Sequence, residues 1–207
     1  VAPAVSVPDA APAPPRSGPF TAGYAGRLVE AKGIRDLVAA IEALGGGARL
    51  LVVGDGPLRA ELDAHPLVEV RTGVAHDGMA AVYAAMDVLV LPSLTTPTWA
   101  EQLGRVLLEA MAAGRPAIGS SSGEIPWVLS VARGGATFPE GDVDALTALL
   151  RDARDDPRRW QALAEQDHLD RERQQPFDRL DRLLERHEPG VAVAGELDRV
   201  APDPDPD

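Results

Sequence analysis

Apolar and polar positions alternate between two periods along this chain. Phe20 to Gly26 reads as a β-like run, after which Ile34, Leu37, Val38, Ile41 and Leu44 recur at the i, i+3, i+4, i+7 spacing of an amphipathic helix. The same exchange repeats downstream. Arg49 to Val53 (RLLVV) is strand-like, GDGP turns the chain, and LRAELDA reads as a short helix. VEVRT is the next strand, followed by a helix around Met79, Val82 and Tyr83 and by the continuous apolar run Val88 to Leu91. A helix is expected over Gly104 to Ala113, stopped by Gly114 and Pro116. Strand Pro116 to Gly119, helix Glu124 to Val131, the short strand Gly135 to Phe138 and helices over Val143 to Ala153 and Arg158 to about His187 complete the pattern.

Short, continuously apolar strands separated by helices bury both faces of a parallel sheet. The expected fold class is therefore α/β, a Rossmann-like doubly wound parallel sheet with helical C-terminal decoration. Four segments follow: a Pro/Ala-rich interdomain linker over 1–18, the Rossmann-like domain over 19–155, C-terminal helices over 156–188, and a disordered acidic tail over 189–207. The final stripe Phe177, Leu180, Leu183 and Leu184 reads as a core-facing helix side.

Charge changes the picture. With 32 acidic against 20 basic residues the chain carries a formal charge of -12, a surface that repels nucleic acid and anionic membrane. There is no cysteine, which removes disulfides, thiolate metal sites and cysteine nucleophiles. The opening segment lacks the basic and apolar regions of a signal peptide, and no run reaches the ~18 apolar residues of a membrane span. Because the chain opens on Val1, it reads as a piece of a longer protein cut upstream of its linker.

In parallel sheets, ligands meet the carboxyl ends of the strands, where helix N-termini present free N–H groups. Five loops lie there. In the first, GRLVEAKG, Lys32 is the only lysine among the 20 basic residues. Arg27 and Lys32 together suit a diphosphate, one as a planar fork and one as a point charge. The alternative is a solvated lysine near a helix start. The second, GDGP, is a glycine-rich turn leading into the helix Leu58 to Ala64, or simply a tight connection. In the third, TGVAHDG, Val74 and Ala75 can lay backbone against a flat base, while His76 or Asp77 caps the next helix or is merely exposed. The fourth is the strongest: TTPTWAEQLGRVLLEAMAAG puts Glu101 in the loop and Glu109 one to two turns into a helix starting near Gly104. Backbone N–H groups near Gly104 and Arg105 can receive a phosphate between two carboxylates that accept from sugar hydroxyls. Glu109 interrupts an apolar helix and so requires a dedicated partner unless it faces solvent. In the fifth, SSSGEIP, the serines cap a helix or join the rim, and Trp99 and Trp127 pack or stack on a sugar.

At these residues the chain resembles a known family. GRLVEAKG, GDGP, EQLGRVLLEAMAAGRPAIGSSSGEIP and GDVDAL resemble, in order, the C-terminal domain of retaining glycosyltransferases of family 4, across about residues 20–155. Two glutamates separated by seven residues, Glu101 and Glu109, carry the resemblance most specifically. It departs in two places: Gln102, Leu103, Gly104 and Arg105 stand where the family often has Gly-Phe-Gly after the first glutamate, and no clear aromatic closing segment appears in QPFDRLDRLLERHE.

The resemblance implies the C-terminal half of a GT-B fold, which holds a nucleotide-diphosphate-sugar donor, UDP- or GDP-linked, for hexosyl transfer with retention. It places Arg27 and Lys32 on the diphosphate, Val74 and Ala75 on the base, and Glu109 on the ribose. Glu101 falls to the transferred sugar, and Leu103, Gly104 and Arg105 to the phosphate cradle. It also implies no metal or other cofactor, a cytoplasmic location, and activity only with an N-terminal acceptor-binding domain, through which any peripheral membrane association would run. A nucleotide-sugar epimerase-type domain and a non-catalytic nucleotide-binding or interaction module are the alternatives.

Overall fold

The computed structural model describes Arg16 and residues 18–164. Most of the expected linker, the C-terminal helices beyond residue 164 with their Phe177 stripe, and the acidic tail lie outside the described residues. Six strands form one sheet: β1 (Thr21–Ala25), β2 (Arg49–Val53), β3 (Val68–Arg71), β4 (Val88–Leu91), β5 (Ala117–Ser120) and β6 (Gly135–Phe138). Every pairing is parallel and the order is β3-β2-β1-β4-β5-β6. β4 is buried at all four positions, which explains why VLVL alternates with nothing polar.

The helices are α1 (Ile34–Leu44), α2 (Arg59–Asp63), α3 (Met79–Ala84), α4 (Arg105–Ala112), α5 (Ile125–Ala132) and α6 (Val143–Asp155), with further helix at 157–164. α1 buries Ile34, Leu37, Ala40, Ile41 and Leu44, the stripe its spacing predicts, and stops at Gly45. α6 begins where Asp142 accepts a hydrogen bond from the Ala145 N–H at 2.8 Å, an N-cap, and packs against α1. Right-handed crossovers that run from β1 toward β3 and from β4 toward β6 place their helices on opposite faces of the sheet.

The expected alternation is borne out, with local differences. α2 is shorter than LRAELDA and α6 two residues longer than expected. Two 3-10 turns, Glu30–Lys32 and His76–Gly78, lie in stretches read as loop; three residues are too few to carry a period. The strand order reverses between β1 and β4, the switch point at whose carboxyl edge doubly wound sheets form their ligand crevice.

Candidate functional site

That crevice is walled by the loops after β1 and β4, the two richest in candidate chemistry. The first runs from Gly26 through the 3-10 turn Glu30–Lys32 to Gly33, whose φ of 62° puts it in the left-handed region. A Cβ there would lie 1.9 Å from the Pro92 carbonyl oxygen, so only glycine lets this loop close onto the one after β4. The Leu94 N–H donates to the Ala31 carbonyl at 2.8 Å across the same seam. Gly123 plays the matching part further along: at φ 54° its Cβ would meet the Glu101 carbonyl oxygen at 2.0 Å, and the Glu124 N–H donates to that oxygen at 2.9 Å.

The serines read as helix caps do something else. α5 has no side-chain cap. Ser120 Oγ donates to the Ser93 carbonyl at 2.5 Å, Ser122 Oγ meets Thr95 Oγ1 at 3.0 Å, and Ser121 Oγ accepts from the Glu140 N–H at 3.0 Å. They bind loop to loop: Ser120 satisfies a buried backbone carbonyl, Ser122 pairs with another hydroxyl, and Ser121 takes an exposed N–H. His76 and Asp77 likewise cap no helix through their side chains.

Inside the crevice Lys32 Nζ donates to Glu101 Oε2 at 2.5 Å, with the side chains only 18% and 12% exposed. Ser93 Oγ, from a fully buried residue, donates to the same oxygen at 2.9 Å. Lys32 Nζ also lies 4.5 Å from the centroid of the Trp99 ring, a cation–π contact. Trp99 is held there by a tight turn in which Thr96 N–H donates to the Trp99 carbonyl at 2.7 Å. Lys32 is thus not a solvated helix-start residue.

Glu109 is half-buried in the second turn of α4 and has the dedicated partner its surroundings demand: Tyr83 OH, on α3, donates to Glu109 Oε2 at 2.6 Å. Burial, reinforced by that hydrogen bond and the carboxylate's charge, holds the Tyr83 hydroxyl well above the usual phenol range. Tyr24, buried under the crevice, donates to the Arg27 carbonyl at 2.8 Å. Burial first, and the nearby negative charge of Glu101 second, raise its pKa as well. Sequence reasoning missed Ser93, Tyr83 and Tyr24. The available signals were a polar residue just past β4 and polar tips on the chain's two tyrosines, both set among buried apolar positions.

Arg27 and Arg105 are exposed and make no ion pair among the described residues. Gly104 is the N-cap of α4 with φ 58° and no side-chain cap; the Leu107 N–H donates to the Gly104 carbonyl at 2.8 Å, and the Arg105 and Val106 N–H groups keep their donor capacity. Leu103 is half-buried beside it. Val74 and Ala75, half-buried and exposed, stand just before the second 3-10 turn in the loop after β3. The carboxyl edge thus carries an uncapped helix start, two arginines, a lysine already paired with one carboxylate, and a second carboxylate held by a tyrosine. Among the described residues no group of three or more His, Asp or Glu could hold a metal ion, and no helix is long and apolar enough to cross a membrane.

A doubly wound parallel sheet with cations and oriented carboxylates at its switch point is a Rossmann-like domain of the kind that places anionic ligands at helix N-termini. The family model for glycosyl transferases group 1 matches residues 19–156, and the chain belongs to that family. It is 38% identical over 149 residues to 2-deoxystreptamine N-acetyl-D-glucosaminyltransferase of Streptomyces fradiae, aligning 66% of this chain with 34% of that enzyme. The chain therefore spans about a third of that relative's length. Among solved structures it is similar to the sucrose-phosphate synthase of Thermosynechococcus elongatus, at 25% identity and a TM-score of 0.65, covering 81% of this chain and 45% of that one. It also shares its fold with Alr3699/HepE of Anabaena, in complex with UDP and glucose, at 19% identity and a TM-score of 0.65, covering 81% and 48%.

Proposed function

We propose that this chain is the donor-binding domain of a retaining, metal-independent glycosyltransferase, working with an N-terminal acceptor-binding domain at a cytoplasmic site. The observation that carries the reading is the meeting of Lys32 and Glu101 across the switch point, next to the uncapped start of α4. A cation and a helix N-terminus suit a diphosphate, and a carboxylate beside them suits the hydroxyls of the sugar it bears. The complex of HepE with UDP and glucose, and the transferase activity named for the Streptomyces relative, support a nucleotide-sugar as the ligand.

In this reading Arg27, Lys32 and the backbone of Leu103, Gly104 and Arg105 hold the diphosphate, and Val74 and Ala75 line the base. Glu109, its rotamer fixed by Tyr83, accepts from the ribose hydroxyls, and Glu101 Oε1 accepts from the transferred hexose. The acceptor hydroxyl oxygen bonds to the anomeric carbon on the same face that the diphosphate leaves, as retention requires, and its proton passes to the departing phosphate oxygen. The bond from that carbon to the phosphate oxygen breaks, and its electron pair leaves on the diphosphate. Preorganised cations and the α4 dipole stabilise that developing charge, the work a metal ion does elsewhere. The donor is UDP- or GDP-linked.

Glu101→Ala in the full-length protein tests the assignment. It should abolish sugar transfer while a nucleoside diphosphate still binds, and unchanged turnover would remove Glu101 from the sugar site.

A further inference from the structure

Lys32 is not a bare cation. Its ammonium has three N–H donors; one is on Glu101 Oε2 at 2.5 Å and the indole of Trp99 faces it at 4.5 Å. Ser93 Oγ fixes the same carboxylate oxygen at 2.9 Å, so the carboxylate cannot swing away without losing a second hydrogen bond. With both side chains largely shielded from solvent, screening between them and any neighbouring charge is weak. An anion that reaches Lys32 therefore also comes up against the negative charge of Glu101.

That arrangement responds differently to two ligands that share a nucleotide. In a sugar-linked diphosphate the terminal phosphate is a diester with a single negative charge, and the sugar brings hydroxyls that can donate to Glu101. Once the sugar has left, the same phosphate is a monoester that takes a second charge near pH 6, and it offers the carboxylate no donor near neutral pH. We propose that Glu101 discriminates between the intact sugar donor and the nucleoside diphosphate product by competing with the terminal phosphate for Lys32. This rests on the donor-binding reading above and adds to it a role in product release. A carboxylate placed to welcome the sugar is also placed to disfavour the diphosphate left behind. Trp99 acts as a positioning residue, holding the ammonium where both the carboxylate and the phosphate can reach it.

Calorimetry on the full chain tests this with UDP, GDP, UDP-glucose and GDP-mannose, comparing wild type with Glu101→Gln, which keeps the size and hydrogen-bonding reach but removes the charge. The nucleoside diphosphate that binds should bind about tenfold tighter or more to the variant, a scale set by like-charge juxtaposition. Its sugar-linked form should gain less or lose affinity, so the ratio of the two affinities shifts toward the product. Equal diphosphate affinity in both proteins overturns the proposal while leaving the donor-binding reading intact. Absence of binding by every nucleotide to both proteins, and to the full-length protein as well, overturns that reading and the proposal together.

A second measurement needs no variant. Lys32 is the sole lysine of the chain, so selective [13C]lysine labelling gives one side-chain ε-methylene signal, shifted by the ring current of Trp99. UDP or GDP, whichever binds, must move that signal as the ammonium leaves Glu101. A signal that stays in place at saturation overturns the proposal.

Discussion

Tyr24 and Tyr83, the only tyrosines of the chain, bury their rings and aim their hydroxyls at single acceptors, a backbone carbonyl and a carboxylate. Both pKa values are raised, burial being the larger cause in each. A phenol whose folded pKa lies above its unfolded value stabilises the fold below about pH 10 and loses that contribution as pH rises further. The tyrosinate absorbance at 295 nm should therefore stay absent in the folded protein beyond about pH 11 and emerge together with alkaline unfolding. A tyrosine that ionises near its ordinary pKa while the fold persists would contradict its burial. Lys32→Ala should weaken nucleoside diphosphate binding by about 1.5–3 kcal/mol, the scale of a hydrogen bond to a charged group. Urea unfolding should show it less stable as well, since Glu101 keeps only Ser93 as a donor. Glu109 and Lys32 were legible in the sequence as odd residues in their settings, and Glu101 by its spacing from Glu109 and the family resemblance. Their pairings were not: Lys32 and Glu101 are 69 positions apart, Tyr83 and Glu109 26, and no local period encodes such contacts.

At the scale of elements, the inner strands β2, β1, β4 and β5 were readable because a strand covered on both faces is mostly apolar, and the long helices because a half-covered helix must be striped. What was not readable is the stitching between loops, which uses backbone carbonyls and small hydroxyls carrying no pattern. Gly33 and Gly123 are the two places where it is tightest. Replacing either by alanine puts a Cβ about 2 Å from a carbonyl oxygen that belongs to the loop after β4, in a left-handed conformation that alanine disfavours. Gly33→Ala and Gly123→Ala should each cost about 1–3 kcal/mol in urea unfolding and weaken nucleotide binding by displacing Lys32 or Glu101. A variant with unchanged stability and unchanged affinity would show that the loops do not position the site.

For the molecule as a whole, the order β3-β2-β1-β4-β5-β6 turns separate loops into one site, because it sets the loops after β1 and β4 side by side at the switch point. A formal charge of -12 makes the contrast sharper: an anionic ligand is drawn to a basic rim on an otherwise repelling surface. In the donor-binding reading this rim binds a nucleoside diphosphate and its sugar-linked form. Calorimetric titration of the chain with UDP, GDP and ADP, first without metal and then with magnesium, tests it most directly. One of the three is expected to bind without metal, and Lys32→Ala and Arg27→Ala are each expected to weaken it. Absence of binding by all three at millimolar concentration, in this chain and in the full-length protein alike, would contradict that reading.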